Sequence, residues 1–368
     1  MFSSKLSVVN KILPFVLRKC CTFTHKQVFT THPVVTVLNA CSNIGRNISL
    51  LLKQSPHIHE LKLYDVNKEV FNIAEDLSHI DTRTQVKSFK GNHVIRQAIE
   101  DADIIIHAGG CQRKPGETSA KLFEQNVDSV RAAALYAAEF NPKGIFCIQT
   151  PPVESLVPMV SEEYKKAGVY DARKIIGITS ISSMRANHFI AKYIGGSVSD
   201  ILTPIVGGHG PLSTVAVFSQ VRPQANIPQS TTQLIQRNIC EAEDDILKLF
   251  KDPSSCISLS TAVGVARFVN NLTKAILGET NCVDCAFVRQ MGHIANFLPY
   301  MTSIIRLGRH GVLSTHMPKI NDQEAYRLKK ASIFIRTNIH LGENFISGSS
   351  LKNEEVAKPT ENIESVKQ

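Results

Sequence analysis

The chain has no acidic residue before Glu60, no apolar run approaching the eighteen residues of a membrane-spanning helix, no paired cysteine framework and no internal repeat. The longest apolar stretches are broken by charges or by Asn and Ser, which excludes a transmembrane span. Nine cysteines (20, 21, 41, 111, 147, 240, 256, 282, 285) are scattered without pairing, as in a reducing compartment. Only Cys282 and Cys285 form a C-x-x-C. It lies in a strand-like run, Cys282 to Val288, whose alternating faces separate the two thiols, so no metal site is expected. The lack of acid near the N-terminus has a positive counterpart. Residues 1–30 carry Lys5, Lys11, Arg18, Lys19 and Lys26, with Leu6, Val9, Leu13 and Leu17 at helical spacing. That is the makeup of a mitochondrial transit peptide, expected over 1–25, and it points to the matrix. Discounting those five charges leaves +4 of the net +9. The remainder implies neither a nucleic-acid nor a membrane partner.

With 43% hydrophobic and 20% charged residues in 368, the chain can bury a large core. The run Pro33-Val-Val-Thr-Val-Leu38 reads as a buried parallel strand, followed by a helix over 44–53. Strands are expected at 61–65, 86–89, 103–107, 145–149 and 174–178, with helices near 69–79, 93–99, 119–139 and 155–167. This alternation is the βαβ pattern of an open parallel sheet with helices on both faces. After residue 180 the pattern changes. Helices are expected at 181–194, 230–250, 258–277 and 321–342, with strands near 200–206, 213–219 and within 282–308. The expected fold class is α/β: a doubly wound parallel-sheet Rossmann domain over 30–178, then a mixed α/β substrate domain over 179–345. Residues 346–368 are polar and interrupted by proline, and read as a disordered tail.

A dinucleotide-binding fold needs a strand, a glycine-rich turn, a helix whose N-terminus faces the pyrophosphate, and an acid about 20 residues on for the ribose hydroxyls. The strand ends at Leu38, the turn is Asn39-Ala-Cys-Ser-Asn-Ile-Gly45, and Asp65 closes the second strand. Of three positions spaced G-x-x-G-x-x-G, Asn39 and Ser42 replace two, and Gly45 remains. Asn tolerates left-handed backbone, so Asn39 can keep the turn. Ser42 places a Cβ where backbone approaches phosphate. Ile44 and Gly45 open the helix. Asp65 favours NAD over NADP, because a carboxylate repels a 2′-phosphate.

Downstream segments, in order and spacing, resemble the mitochondrial and bacterial type of malate dehydrogenase. Leu63-Tyr-Asp-Val66, Ala74-Glu-Asp-Leu-Ser-His-Ile80, Gln112-Arg-Lys-Pro-Gly116, Lys174-Ile-Ile-Gly-Ile-Thr179, Met184-Arg-Ala-Asn187, Ile205-Val-Gly-Gly-His209 and Gly264-Val-Ala-Arg-Phe-Val269 carry the likeness, over roughly residues 33–345. The resemblance implies NAD as cofactor and a small dicarboxylate, malate or oxaloacetate, as substrate. His209 falls on the base that takes the hydroxyl proton. Arg185 falls on the arginine that grips the carboxylate beside the reacting carbon, and Arg113 on the loop arginine that recognises the far carboxylate. Asn126 matches a cofactor position. The resemblance also implies a dimer built on helices corresponding to Ile44–Lys53 and Ala74–Ile80.

Five positions beyond the turn depart from the family pattern. Ser182 stands for the aspartate that pairs with the histidine; it can fix the tautomer but brings no charge, a loss of order 10²–10⁴ in rate by analogy with serine proteases. Ser119 replaces a second substrate arginine, and Lys121, two helical positions on, points elsewhere. Pro151-Pro-Val-Glu154 replaces an Asn-Pro-Val-Asn segment, so Pro151 brings no amide and two polar contacts are expected to vanish. Thr261 stands where a methionine is usual near the nicotinamide. Two classes of function follow: an NAD-dependent malate dehydrogenase with impaired chemistry, or a catalytically dead paralogue acting structurally, as a homodimer or as the heterodimer partner of an active one.

Overall fold

Alternating apolar strands and amphipathic helices give the chain a single extended sheet. The structure, a computed structural model, describes residues 33–114, 116–249 and 258–348. The expected transit peptide and the residues beyond 348 lie outside the described residues. Five-residue β1 (Val34–Leu38) leads into α1 (Asn43–Lys53), then β2 (Glu60–Asp65), α2 (Glu69–Ser78), β3 (Gln85–Lys90), α3 (Ile95–Ile99), β4 (Ile104–His107), α4 (Ser119–Phe140), β5 (Ile145–Ile148), α5 (Val153–Lys166) and β6 (Ile175–Ile178). The second half comprises α6 (Ser180–Ile194), β7 (Ile205–Gly207), β8 (Thr214–Ala216), α7 (Gln229–Leu249), α8 (Ser258–Ile276), β9 (Val283–Arg289), α9 (Ile294–Phe297), β10 (Tyr300–Gly308), β11 (Gly311–His316) and α10 (Asp322–Ser347).

The strand order is β3-β2-β1-β4-β5-β6-β9-β10-β7-β8, with β11 paired to β10. The first six strands run parallel, and β9 joins β6 antiparallel, Gly177 opposite Phe287. Strands β1, β4 and β5 are apolar nearly throughout, as burial on both faces requires. The order reverses between β2 and β4, with β1 at the pivot. A crevice for a ligand opens outside the carboxyl ends of strands at such a point.

Several sequence expectations need correction. The last helix runs to Ser347 rather than 342, so the tail does not begin at 346. Leu328, Ala331, Ile335, Ile339 and Ile346 form a buried stripe at helical spacing, and Phe345 packs edge-on against Phe123 at 5.5 Å. Each fully buried aliphatic contributes roughly 1.5–3 kcal/mol, enough to extend the helix through polar residues. Gly348, left-handed at φ 71°, ends it. The strand expected over 213–219 stops at Ala216, where a 3₁₀ turn over Phe218–Gln220 begins. The strand expected over 200–206 is limited to Ile205–Gly207, and a third strand of the last meander, β11, follows Gly308.

Among the described residues, no helix is long and apolar enough to cross a membrane, and no group of three or more His, Cys, Asp or Glu could hold a metal ion.

Candidate active site

At the pivot of the sheet, β1 ends in the turn that should hold the dinucleotide. Asn39 adopts φ 60°, the left-handed backbone that a glycine would otherwise supply. Ser42 caps α1: its Oγ accepts from Gly45 N at 3.0 Å and donates to Asn39 O at 2.8 Å. A Cβ at Gly45 would collide with Asn39 O, so only glycine fits where the helix crosses the turn. The Ile44 side chain is buried in the core, leaving its backbone to the turn. Beneath the turn, His107 Nδ1 lies 2.7 Å from Thr150 Oγ1, and its Nε2 lies 3.2 Å from Ser129 Oγ. Complete burial pushes this imidazole down to about 4.

The buried Asp65 accepts from Cys41 N at 2.8 Å and from Asn67 N at 2.9 Å. A carboxylate has about four lone-pair sites, so acceptor capacity remains for ribose hydroxyls. The acid, the left-handed turn and the helix N-terminus fit a dinucleotide. The Ser42 hydroxyl occupies the first turn of that helix, where a phosphate would otherwise find free N–H groups. Asn126 is buried, and its side chain is engaged with backbone: Oδ1 accepts from Cys111 N at 2.7 Å, and Nδ2 donates to Cys111 O and Pro151 O at 2.9 and 2.7 Å. It ties the loop after β4 to the segment after β5.

Beside this crevice a cavity of about 70 Å³ is lined by Arg113, Ser119, Pro151, Arg185, His209 and Thr261, among others. The structure therefore brings together residues spread over nearly 150 positions of sequence. Ser182 and Arg185, three apart, share one face of α6. His209 follows β7, and its Nδ1 lies 3.0 Å from Ser182 Oγ. Burial, and secondarily the Arg185 guanidinium, push the His209 imidazole down to about 4. Burial also lowers Arg185 from its ordinary value, opposed by Glu243. Ser119 starts α4, which Thr118 caps, and Lys121 is exposed.

Glu154 does not simply vacate polar contacts. Its buried carboxylate accepts from His209 N at 2.7 Å, Gly210 N at 3.0 Å, the Ser213 hydroxyl, and Asn338 Nδ2 at 2.5 Å. Among the described residues, four donors and no cation hold it. Gly208 passes so close that a Cβ there would collide with Glu154 Oε1. Glu154 thus pins the loop carrying His209, a role the sequence did not show. Two further groups escaped sequence reading. Asp244 forms an ion pair with Arg113, and Glu243 lies 3.9 Å from Arg185. Nothing in a polar, helical stretch distinguishes those acids from a solvated face.

The lactate/malate dehydrogenase NAD-binding-domain model matches residues 34–177, and the alpha/beta C-terminal-domain model of the same family matches 179–346. The chain belongs to the lactate/malate dehydrogenase family. The domain match and the fit at Asp65 and Asn39 make NAD its cofactor. The chain is 34% identical over 313 residues to mitochondrial malate dehydrogenase of Felis catus, covering 85% of this chain and 91% of that one. It is 34% identical over 325 residues to that of Caenorhabditis elegans, covering 86% and 92%. The fold is shared with lactate dehydrogenase from Cryptosporidium parvum, solved with lactic acid and nicotinamide adenine dinucleotide, at a TM-score of 0.72 and 17% identity over 85% and 98% of the two chains. Malate dehydrogenase from Aeropyrum pernix gives 0.71 at 15% identity over 83% and 97%.

Proposed function

We propose that this protein is an NAD-dependent oxidoreductase of the malate dehydrogenase type, acting on malate and oxaloacetate with impaired acid–base chemistry. The observation that carries the reading is the convergence of His209, Arg185 and Arg113 on one cavity beside the dinucleotide crevice, with Ser182 held against His209 Nδ1. NAD, when bound, supplies the hydride acceptor. His209 Nε2 takes the hydroxyl proton, while the Ser182 hydroxyl oxygen accepts a hydrogen bond from Nδ1–H and fixes the tautomer. Arg185 grips the carboxylate next to the reacting carbon, and Arg113 the far one. With its pKa near 4, His209 is neutral at pH 7, the form that accepts a proton. The reverse direction needs the imidazolium, a minority form at pH 7, and because the overall equilibrium is fixed the scarce acid of one direction is matched by a weak base in the other, so both directions slow together.

The mitochondrial relatives and the basic N-terminal segment support a matrix location. A dimer through α1 and α2 follows from the family likeness. A second reading, a silent paralogue paired with an active subunit, draws on the internal pairing of Arg113 and on Ser182 and Ser119 standing for charged residues.

The test uses the full chain. NADH binding is measured by calorimetry, then oxaloacetate-dependent NADH oxidation in the same sample. Binding with slow turnover supports the enzyme. A folded protein that binds NADH without turnover moves the weight to the silent paralogue.

A further inference from the structure

The two arginines assigned to substrate are each met by an acid from one turn of α7. Asp244 pairs directly with Arg113, the two side chains being 27% and 17% exposed, and Glu243 stands 3.9 Å from Arg185, at 30% and 15%. Shielding of this degree weakens screening by salt. Glu243 itself lines the cavity. Arg113 Nε, moreover, is buried with no hydrogen-bond partner. A buried N–H left unsatisfied is costly, and here it marks a donor that a ligand oxygen would engage while Asp244 keeps another edge of the same guanidinium.

We propose that Glu243 and Asp244 are specificity-determining residues that compete with the carboxylates of the substrate for Arg185 and Arg113. The inference rests on the substrate roles of those arginines given above. Two guanidinium charges facing a dianion would form a site selective for dicarboxylates; two guanidiniums already balanced by two carboxylates do not. A ligand carboxylate that engages Arg113 Nε must share the guanidinium with Asp244, and its partner carboxylate adds its charge beside Glu243. A second carboxylate on the ligand therefore gains little. Monocarboxylic 2-hydroxy acids with a neutral far end are disfavoured much less. The neighbouring Asp245 takes no part, since it is exposed and pairs with Lys248 at 3.1 Å.

The test is calorimetric binding of L-malate and L-lactate to the NAD-loaded full chain, comparing wild type, E243Q, D244N, the double variant and D245N. Wild type is expected to bind malate less than tenfold more tightly than lactate. D244N and the double variant are expected to gain at least tenfold in malate affinity, D244N with little change for lactate because only a far carboxylate meets Arg113, E243Q to tighten both ligands, and D245N to match wild type. Because D244N and E243Q remove charge at nearly constant shape, thermal unfolding of each checks that the fold survives. The wild-type malate-to-lactate ratio stands without any variant. A hundredfold preference for malate in wild type, or unchanged malate affinity in the folded double variant, overturns the proposal. Loss of turnover throughout, with the affinity gain intact, would count against the oxidoreductase reading and leave the competition standing.

Discussion

The Nδ1 atom of His209 lies 3.0 Å from the hydroxyl of Ser182, a neutral partner where the sequence resemblance implies a carboxylate. Geometry for tautomer control is kept while the charge that would stabilise an imidazolium is gone. Introducing that charge should raise the histidine pKa from about 4. Ser182→Asp combined with Ser119→Arg is expected to increase oxaloacetate reduction by at least an order of magnitude, read as kcat/KM at pH 7. An unchanged rate would place the defect in the cofactor crevice rather than in the acid–base pair.

The cofactor crevice has its own test in Ser42. Its hydroxyl spans Gly45 N and Asn39 O at the start of α1. Ser42→Gly clears the Cβ and frees N–H groups for the pyrophosphate, at a stability cost of only a few tenths of a kcal/mol for a Ser-to-Gly cap change. NADH affinity by calorimetry is expected to rise about tenfold. A fall in affinity would mean that the hydroxyl itself contacts the cofactor.

Glu154 organises the loop bearing His209 through four donors. Glu154→Ala takes this acceptor from His209 N and Asn338 Nδ2, while Gly210 N keeps Ser213 Oγ at 2.9 Å and the Ser213 hydroxyl keeps Gly210 O at 3.2 Å, and each buried donor so stranded costs about 1–3 kcal/mol. A loss of about 3 kcal/mol in urea unfolding is expected. Glu154→Gln, which keeps one carbonyl oxygen, should lose less. Equal stability of all three proteins would show that water replaces the carboxylate.

Acid should weaken the fold through His107. Its folded pKa, about 4, lies below the ordinary value of 6.5, because burial favours the neutral ring. The unfolded chain therefore binds this proton first. The contribution is fully present above pH 6.5 and is lost as pH falls from there towards 4. Each tenfold difference in proton affinity between the folded and unfolded chain is worth about 1.4 kcal/mol, so the loss amounts to about 3 kcal/mol at most. Chemical denaturation across that range should show the slope, to which His209, lowered to the same value, adds a like share, and His107→Gln should reduce it by about half. An equal slope in the variant would assign acid sensitivity to other groups.

Much of this molecule was determined by sequence alone, for reasons that are local. Continuous apolar runs and helical spacing placed the parallel strands and their helices within a residue or two, since a central strand must bury both faces and a helix one stripe. The turn from Asn39 to Gly45 and the acid at Asp65 marked the cofactor crevice by spacing. His209, Arg185 and Arg113 stood in motifs that resemble a known family. The tertiary structure decided what those residues meet. Asp244 is 131 positions from Arg113, and Asn338 is 184 from Glu154. Charge compensation is set by distance in space, and hydrophobic periodicity does not encode which exposed-looking acid of a helix turns toward a buried guanidinium. The extension of α10 to Ser347 has the same origin: polar residues there are carried by Phe345 and Ile346, whose partners lie on distant elements.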